Sequence, residues 1–453
     1  MKPRMLSDVA RAVGGMLLGS DALVSSLATD SRDVVPGALF VALPGAQVDG
    51  HRFVEEAFAR GATGVLVRDG VTVEGSSVHV RSTGEALLRL AADERRRFEG
   101  TVVAITGANG KTTTKDMTGV VCETSFPTHV SPASFNNEIG LPVTLLGAAA
   151  DDQVIVAELG ARRRGDVALL CDVALPRIVV VTNVGVAHME VFGSWESIVE
   201  ASAEPVEALG EDGVAILCAD DPVVVGYAAR CRGRVVTFGL SPEADVRAEA
   251  AHLDAEGRAS FQVVARGQRE PVALAVAGEH MVPNALAAAA VGLELGIPLG
   301  SAAAALVGAA ASPWRMETFT TGDGFRVVND AYNANPESMA AAIRTARWMA
   351  GDGRLIAVLG QMAELGEIAE REHERVGELA ARLRVERLVT VGSAAKAIAV
   401  AGEREGVEPD RIATYDDAEG ALHDVRAHAR PGDVVLVKGS RVAGLEMLAE
   451  SLR

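Results

Sequence analysis

Apolar residues in this chain fall into short unbroken runs rather than an alternating pattern. Between residues 99 and 312 the runs are 101–105 (TVVAI), 154–157 (VIVA), 178–182 (IVVVT), 214–217 (VAIL) and 235–238 (VVTF). They recur at 355–359 (LIAVL), 387–391 (RLVTV) and 434–437 (VVLV). A strand that is apolar on both sides is buried on both sides, so these runs predict parallel strands covered by helices. The stretches between them carry helical spacing. Residues 54–61 (VEEAFARG) end on a glycine suited to a helix C-terminus, and 86–98 and 373–383 are further helices. The pattern predicts an α/β protein with three domains. These are a small N-terminal α/β domain over 1–98, a central P-loop mononucleotide-binding parallel sheet over 99–312, and a C-terminal Rossmann-like domain over 313–453. The charged end of the 86–98 helix, DERRRFEG, reads as a linker or a solvated helix end. The most apolar stretch, 286–306, is broken by Glu294, Gly296 and Pro298 and predicts a buried helix pair, not a membrane span.

Ligands of such sheets bind beyond the carboxyl ends of the strands, so the polar residues there carry the chemistry. The first central run leads into TGANGKTTT, residues 106–114. Gly107 and Gly110 let backbone N–H groups converge on phosphate oxygens, Lys111 supplies charge, and Thr112 supplies a hydroxyl for Mg²⁺. The helix dipole favours the same anion. The spacing is not that of a standard P-loop, whose first glycine would fall at Ile105. The neighbouring runs put Glu158, Asn183 and His188 at the same edge. A carboxylate and a hydroxyl suit Mg²⁺, which keeps waters and phosphate oxygens as its other ligands. Alone, His188 reads as a structural histidine and Glu158 as a water-exposed strand end; beside GKT they read as a metal site. The third domain opens with Arg315 in PWRME and Asp330 in NDAYNANP (329–336). That rigid polar loop reads as ligand-positioning, with a hydrogen-bonded turn as the alternative.

Composition narrows the class. A net charge of −18 argues against a nucleic-acid partner, because phosphate backbones select basic faces. Cys122, Cys171, Cys218 and Cys231 are scattered without a C-x-x-C spacing, as expected of buried thiols in a reducing compartment. The N-terminus has no apolar core of signal-peptide length. The expected location is cytoplasmic.

The motifs together resemble the Mur ligases, in the branch that adds D-alanyl-D-alanine. DSR…PGALFVALPG…DGHRF is similar to that family's N-terminal uridine-diphosphate-binding domain, and TGANGKTTTK to its shortened phosphate loop. SFNNEIGLPVTLL (134–146), AELG (157–160), NVGVAH…FGS (183–194), GEHMVPNALAAAAV (278–291), YNANP (332–336), VLGQMAELG (358–366) and LVKGSR (436–441) follow in order. The resemblance implies ATP-dependent ligation of D-alanyl-D-alanine to UDP-N-acetylmuramoyl-tripeptide through an acyl phosphate, in peptidoglycan synthesis, by a monomer with ATP and Mg²⁺. It implies that Lys111, Glu158, His188 and Arg315 are catalytic, and that Thr112, Glu158 and His188 bind metal. Thr106, Gly107, Asn109, Gly110, Lys111, Thr112, Thr113, Asn284, Arg315 and Asp330 would hold the nucleotide, with Asn284 near adenine and Asp330 near the ribose. Ser31, Arg32, Asn136 and Asn137 would line the UDP-sugar site. Asn333, Asn335, Lys438 and Ser440 would contact substrate, with the 438–441 segment, including Arg441, near the dipeptide.

The chain departs from the family in three places. A lysine carrying a carbamate, whose carboxylate bridges a second metal ion, is expected at the position of Ser202. A carboxylate such as Glu200 or Glu204 replaces it, or the second metal site is weaker, or the protein is a divergent homologue. Met281 stands where asparagine is more usual, and Gln361 where an acid is common. Two other readings therefore stand beside the first. One is a related ligase with another amino-acid acceptor, against which YNANP and FNNEIG argue. The other is a catalytically weakened nucleotide-binding homologue.

Overall fold

The computed structural model describes residues 1–45, 48–310 and 312–453. Three sheets organise the chain, with a two-stranded ribbon of Arg4–Met5 and Leu23–Val24 beside the first. The first is five-stranded, in the order Met16–Leu18, Ser77–Val80, Gly64–Arg68, Ala38–Val41, Ser26–Ala28, and only its Met16–Leu18 edge is antiparallel. The helix Thr83–Arg97 starts under a Ser82 cap. Its Arg95 donates to the carbonyls of Ala174 (2.6 Å) and Leu175 (3.0 Å), at the end of the helix Asp166–Ala174. The charged run is thus a strut that caps a helix C-terminus in the central unit, where a cation is favoured.

The central sheet has nine strands. Five of the six at one side, from Thr128–Val130 to Arg234–Gly239, are the runs read from the sequence, and all six pair in parallel. The remaining three, Val246–Leu253, Arg258–Ala265 and Gln268–Ala277, pair antiparallel with one another and extend the sheet. Their faces alternate between buried and exposed residues, so they lack the unbroken apolar runs of the parallel strands. The third sheet has six strands, parallel except at the Glu317–Thr320 edge.

Register sets the functional edge. Glu158 lies opposite Ile105, and Thr106 opposite Val181, so the ends of three central strands finish side by side. The stretch read as a helix pair forms the helices Met281–Glu294 and Leu299–Val307, and the first packs on the phosphate-loop helix Lys111–Glu123. Small residues permit this. All of Ala285 and Ala287–Ala290 are buried, and a Cβ on Gly292 would lie 2.6 Å from Val121 Cγ1. Cys122 and Cys171 are buried, and burial pushes each thiol up to about 12, which leaves them inert at neutral pH. Among the described residues no helix is long and apolar enough to cross a membrane.

Because Gly292 sets how closely these two helices approach, Gly292→Val should lower stability by about 1–3 kcal/mol through overpacking. It should also weaken ATP binding by lifting Asn284 away from Gly110. Chemical denaturation and nucleotide titration on the same variant check both effects.

Candidate active site

The strand Thr101–Thr106 delivers the chain into a loop with no room for side chains at two points. Gly107 has φ +133°, and a Cβ there would stand 2.1 Å from Thr182 Oγ1. Gly110 has φ +80°, and its Cβ would stand 2.5 Å from Asn284 Oδ1. Only glycine meets both demands. The end of the next strand pins the loop. Ala108 N donates to Asn183 O (3.0 Å), Asn109 N to Asn183 Oδ1 (2.8 Å), and Thr182 Oγ1 to Asn109 O (2.7 Å). The loop helix then begins at Lys111 with no side-chain cap. Its first N–H groups and its dipole are left for an anion.

Lys111 curls back over this loop, its ammonium donating to Gly107 O (2.7 Å) and Ala108 O (3.3 Å). Burial pushes its pKa down, opposed by Glu158 and reinforced by Arg315. Glu158 is buried, not water-exposed. Thr112 Oγ1 donates to its Oε2 (2.8 Å) and Asn136 Nδ2 to its Oε1 (2.8 Å). Ser134 Oγ lies 3.0 Å from Thr112 Oγ1 and accepts from Arg315 Nη2 at 3.1 Å. Lys111, Thr112, Glu158 and Arg315 therefore converge as the sequence reading required. Asn136, expected to line the UDP-sugar site, uses its amide here to steady the Glu158 carboxylate. Among the described residues no three His, Cys, Asp or Glu side chains gather into a metal cage. A buried hydroxyl–carboxylate pair beside a phosphate loop still fits Mg²⁺, which needs few protein oxygens.

His188 makes no hydrogen bond to Thr112 or Glu158 among the described residues. Its backbone is left-handed, with φ +60°, and its Nδ1 faces the Glu364 carboxylate of the C-terminal unit. Burial lowers its pKa, Glu364 opposes this, and Lys111 adds to it.

The C-terminal residues reach the same edge. Arg315 stacks on the Tyr332 ring at 4.1 Å, which fixes the guanidinium over Ser134. Asp330 accepts from Met316 N (3.0 Å) and from Lys438 Nζ (2.6 Å). Lys438, 2% exposed, also donates to Asn333 O at 3.0 Å. His280, half-buried at the start of the helix that carries Asn284, is close enough for both charges to act on it. Lys438 is thus paired with Asp330 in this structure. Asn335 likewise caps the helix Pro336–Ala350 and donates to Asn109 Oδ1 (2.7 Å), joining the C-terminal unit to the phosphate loop. Ser440 donates from N (3.0 Å) and Oγ (2.6 Å) to Gln361 O, which holds that turn. Arg441 stacks on Trp314 at 4.6 Å. Met281, the other departure noted in the sequence, offers its sulfur to Asn284 Nδ2 at 3.8 Å.

Ser31, Arg32 and Asn137 are engaged in their own turns. Ser31 Oγ donates to Glu56 (3.3 Å), Arg32 forks onto Asp30, and Asn137 Oδ1 accepts from Gly140 N (2.9 Å). The Arg32 hydrogen bonds lower the Asp30 pKa to about 2. Sequence reasoning missed Ser134, Thr182, Tyr332, His280 and Glu364. The strand-end position of Thr182 and the SFNNEIG motif around Ser134 were the available signals.

Ser202 lies on the helix Trp195–Glu207, beside the Tyr227 hydroxyl, which donates to Val199 O at 2.8 Å. Neither neighbouring carboxylate is free to replace the missing lysine. Glu200 is forked onto Arg230 (2.7 and 3.1 Å). Glu204 accepts from Gly165 N (2.6 Å) and Ala168 N (2.9 Å) at the start of the helix Asp166–Ala174.

Three families match in chain order: "Mur ligase family, catalytic domain" over residues 23–97, "Mur ligase middle domain" over 105–292, and "Mur ligase, glutamate ligase domain" over 314–441. The chain is 39% identical to the UDP-N-acetylmuramoyl-tripeptide–D-alanyl-D-alanine ligase of Mycobacterium tuberculosis, over 99% of this chain and 97% of that one. It resembles a crystal structure of MurF from Acinetobacter baumannii (29% identity, TM-score 0.89, 100% and 99% covered). It also resembles MurF ligase from Thermotoga maritima in complex with ADP (28% identity, TM-score 0.82, 94% and 96% covered).

Since a Cβ at Gly110 collides with Asn284 and also meets a left-handed backbone, Gly110→Ala should weaken nucleotide binding by about tenfold or more, a loss of ~1.4 kcal/mol. Titration with a fluorescent ATP analogue, beside a thermal melt to show an intact fold, measures it.

Proposed function

The chain belongs to the Mur ligase family, and we propose that it joins D-alanyl-D-alanine to UDP-N-acetylmuramoyl-tripeptide at the expense of ATP. The observation that carries this reading is the convergence of Lys111, Thr112, Glu158 and Arg315 on one sheet edge, with Arg315 arriving from another unit. That arrangement suits phosphoryl transfer to a carboxylate.

A carboxylate does not react with an amine at neutral pH, because its leaving group is too poor. Transfer of the ATP γ-phosphoryl group gives an acyl phosphate and ADP. The amine of the dipeptide attacks the acyl carbon, and phosphate leaves as the amide forms. Two anions must first be brought together, so the protein's main task is to neutralise and orient them. The open start of the loop helix takes the phosphates. Lys111, now resting on carbonyls, turns to the β- and γ-phosphate oxygens. Arg315, braced by Tyr332, supplies the second positive charge. Asn284 and Asp330 flank the nucleoside, with Lys438 and the Met316 N–H holding Asp330 in place. Mg²⁺ held by Thr112 and Glu158, with His188 as a further ligand, would screen the phosphate charge. No step requires a carboxylate at Ser202.

In this reading residues 1–98 take the uridine diphosphate through the turn of Ser31 and Arg32, residues 99–312 take ATP, and residues 313–453 close over both. The Asn335–Asn109 bond supports a place for Asn335 beside the phosphate loop, and the Lys438–Asp330 pair supports a place for Lys438 beside the nucleotide. Asn333 and Ser440 remain the dipeptide-side candidates. An ATP-consuming step on a nucleotide-linked precursor belongs in the cytoplasm.

Purified protein should release ADP with UDP-N-acetylmuramoyl-tripeptide only when D-alanyl-D-alanine is supplied. Turnover with a free amino acid instead would point to a different ligase of the family, and ATP binding without ADP release to a weakened homologue. Arg315→Ala should lower kcat by about 10²–10³-fold while ATP binding changes much less. Ser202→Lys distinguishes two cases: stimulation marks a compromised second metal site, and loss of activity marks a site adapted around serine.

A further inference from the structure

Two left-handed residues meet where the C-terminal unit docks on the central one. His188 has φ +60° and Glu364 has φ +62°, a conformation that costs a non-glycine residue about 1 kcal/mol or more. Their side chains form an ion-pair contact through His188 Nδ1 and Glu364 Oε2. The contact is a close approach and not an aligned hydrogen bond, so among the described residues Nδ1 is left without a hydrogen-bond partner. The backbones are joined too, since Glu190 N donates to Glu364 O at 3.1 Å. Gly366, at φ +57°, lets the turn seat closely, and a Cβ there would lie 3.1 Å from Glu190 Cα. Both side chains are partly exposed, 31% for His188 and 46% for Glu364. An exposed pair of this kind adds little stability, so stability alone does not account for strain on both sides of one contact.

We propose that Glu364 is a positioning residue for His188. Its carboxylate already lies against the unsatisfied Nδ1, and a small rotation that aligns the two fixes the imidazole in the Nδ1–H tautomer and leaves Nε2 as the nitrogen able to ligate or accept a proton. The carboxylate arrives with the C-terminal unit, so His188 is set only when that unit is docked. Domain closure and preparation of the phosphate site become one event. The proposal rests on the ligase reading for its catalytic consequence but not for the tautomer itself.

The test uses Glu364→Ala, Glu364→Gln and Gly366→Ala in the full chain. Nitrogen-15 NMR of labelled histidine, without nucleotide or metal, reads the His188 tautomer, assigned by a His188→Gln control. Wild type should show Nδ1–H. Glu364→Ala should show a mixture or the Nε2–H form, with kcat about tenfold lower or more and KM for ATP within about twofold. Glu364→Gln keeps an oxygen acceptor and should largely restore both readouts. Gly366→Ala keeps the carboxylate but unseats its turn, and should shift both readouts in the direction of Glu364→Ala. An unchanged His188 signature in folded Glu364→Ala overturns the proposal. So does an Nδ1–H signature that persists while kcat falls. A shifted signature in a protein with no ligase activity upholds the positioning and counts against the ligase reading alone.

Discussion

The site depends on an uncapped helix start placed where no side chain can fill it. An α-helix leaves its first N–H groups without internal partners. At Lys111 no side chain replaces them, and the residue at the cap is Gly110 in a left-handed conformation. That vacancy can exist only because the surroundings hold the loop from every other side. Thr182 and Asn183 take the loop's backbone from the neighbouring strand, Asn284 stands against Gly110, and Asn335 takes the Asn109 side chain. The loop is held by contacts outside itself, so its own polar groups stay available to an anion.

The same logic explains why two units build one site. Thr112 and Glu158 come from adjacent central strands and need only sheet register to meet. Positive charge is harder to place. Lys111 and Arg315 repel each other, and burial and Arg315 both make ionisation of Lys111 less favourable. Glu158 offsets that repulsion, and the anionic ligand offsets it further. Arg315 comes from a separate unit and reaches the edge through Ser134. Stacking on Tyr332 keeps the guanidinium oriented without consuming its N–H donors.

How much of this was legible in the sequence follows from how local each signal is. Parallel strands buried on both faces are written as unbroken apolar runs, so 101–105, 154–157 and 434–437 were found almost to the residue. The hairpin strands between Val246 and Ala277 alternate, and they went unread. Strand ends are visible when a polar residue follows an apolar run, which located Glu158, Lys111 and Thr112. Pairings across units are not visible in that way. Nothing near Lys438 announces that its ammonium is spent on Asp330, 108 positions away, nor that Asn335 reaches Asn109. Motif resemblance supplied the neighbourhood of these residues but not the partners they have within the protein.

Ser202 shows where such resemblance stops being physics. A lysine at this point would project from the helix Trp195–Glu207, and its modified end would carry a carboxylate. The chain has instead a short hydroxyl beside the Tyr227 hydroxyl, whose pKa burial raises to about 12 so that it stays neutral. Glu200 and Glu204 flank it in sequence but are already satisfied, one by Arg230 and one by two backbone N–H groups at a helix start. Recruiting either would leave a guanidinium or a helix terminus without its partner, at about 1–3 kcal/mol. The local structure is therefore complete without a metal-bridging carboxylate. In the ligase reading, the groups left to neutralise the reacting anions would be those that converge at the loop: Lys111, Arg315, the helix start and a cation held by Thr112 and Glu158. Charge that a second metal site would share would then fall on the residue that a different unit must bring in.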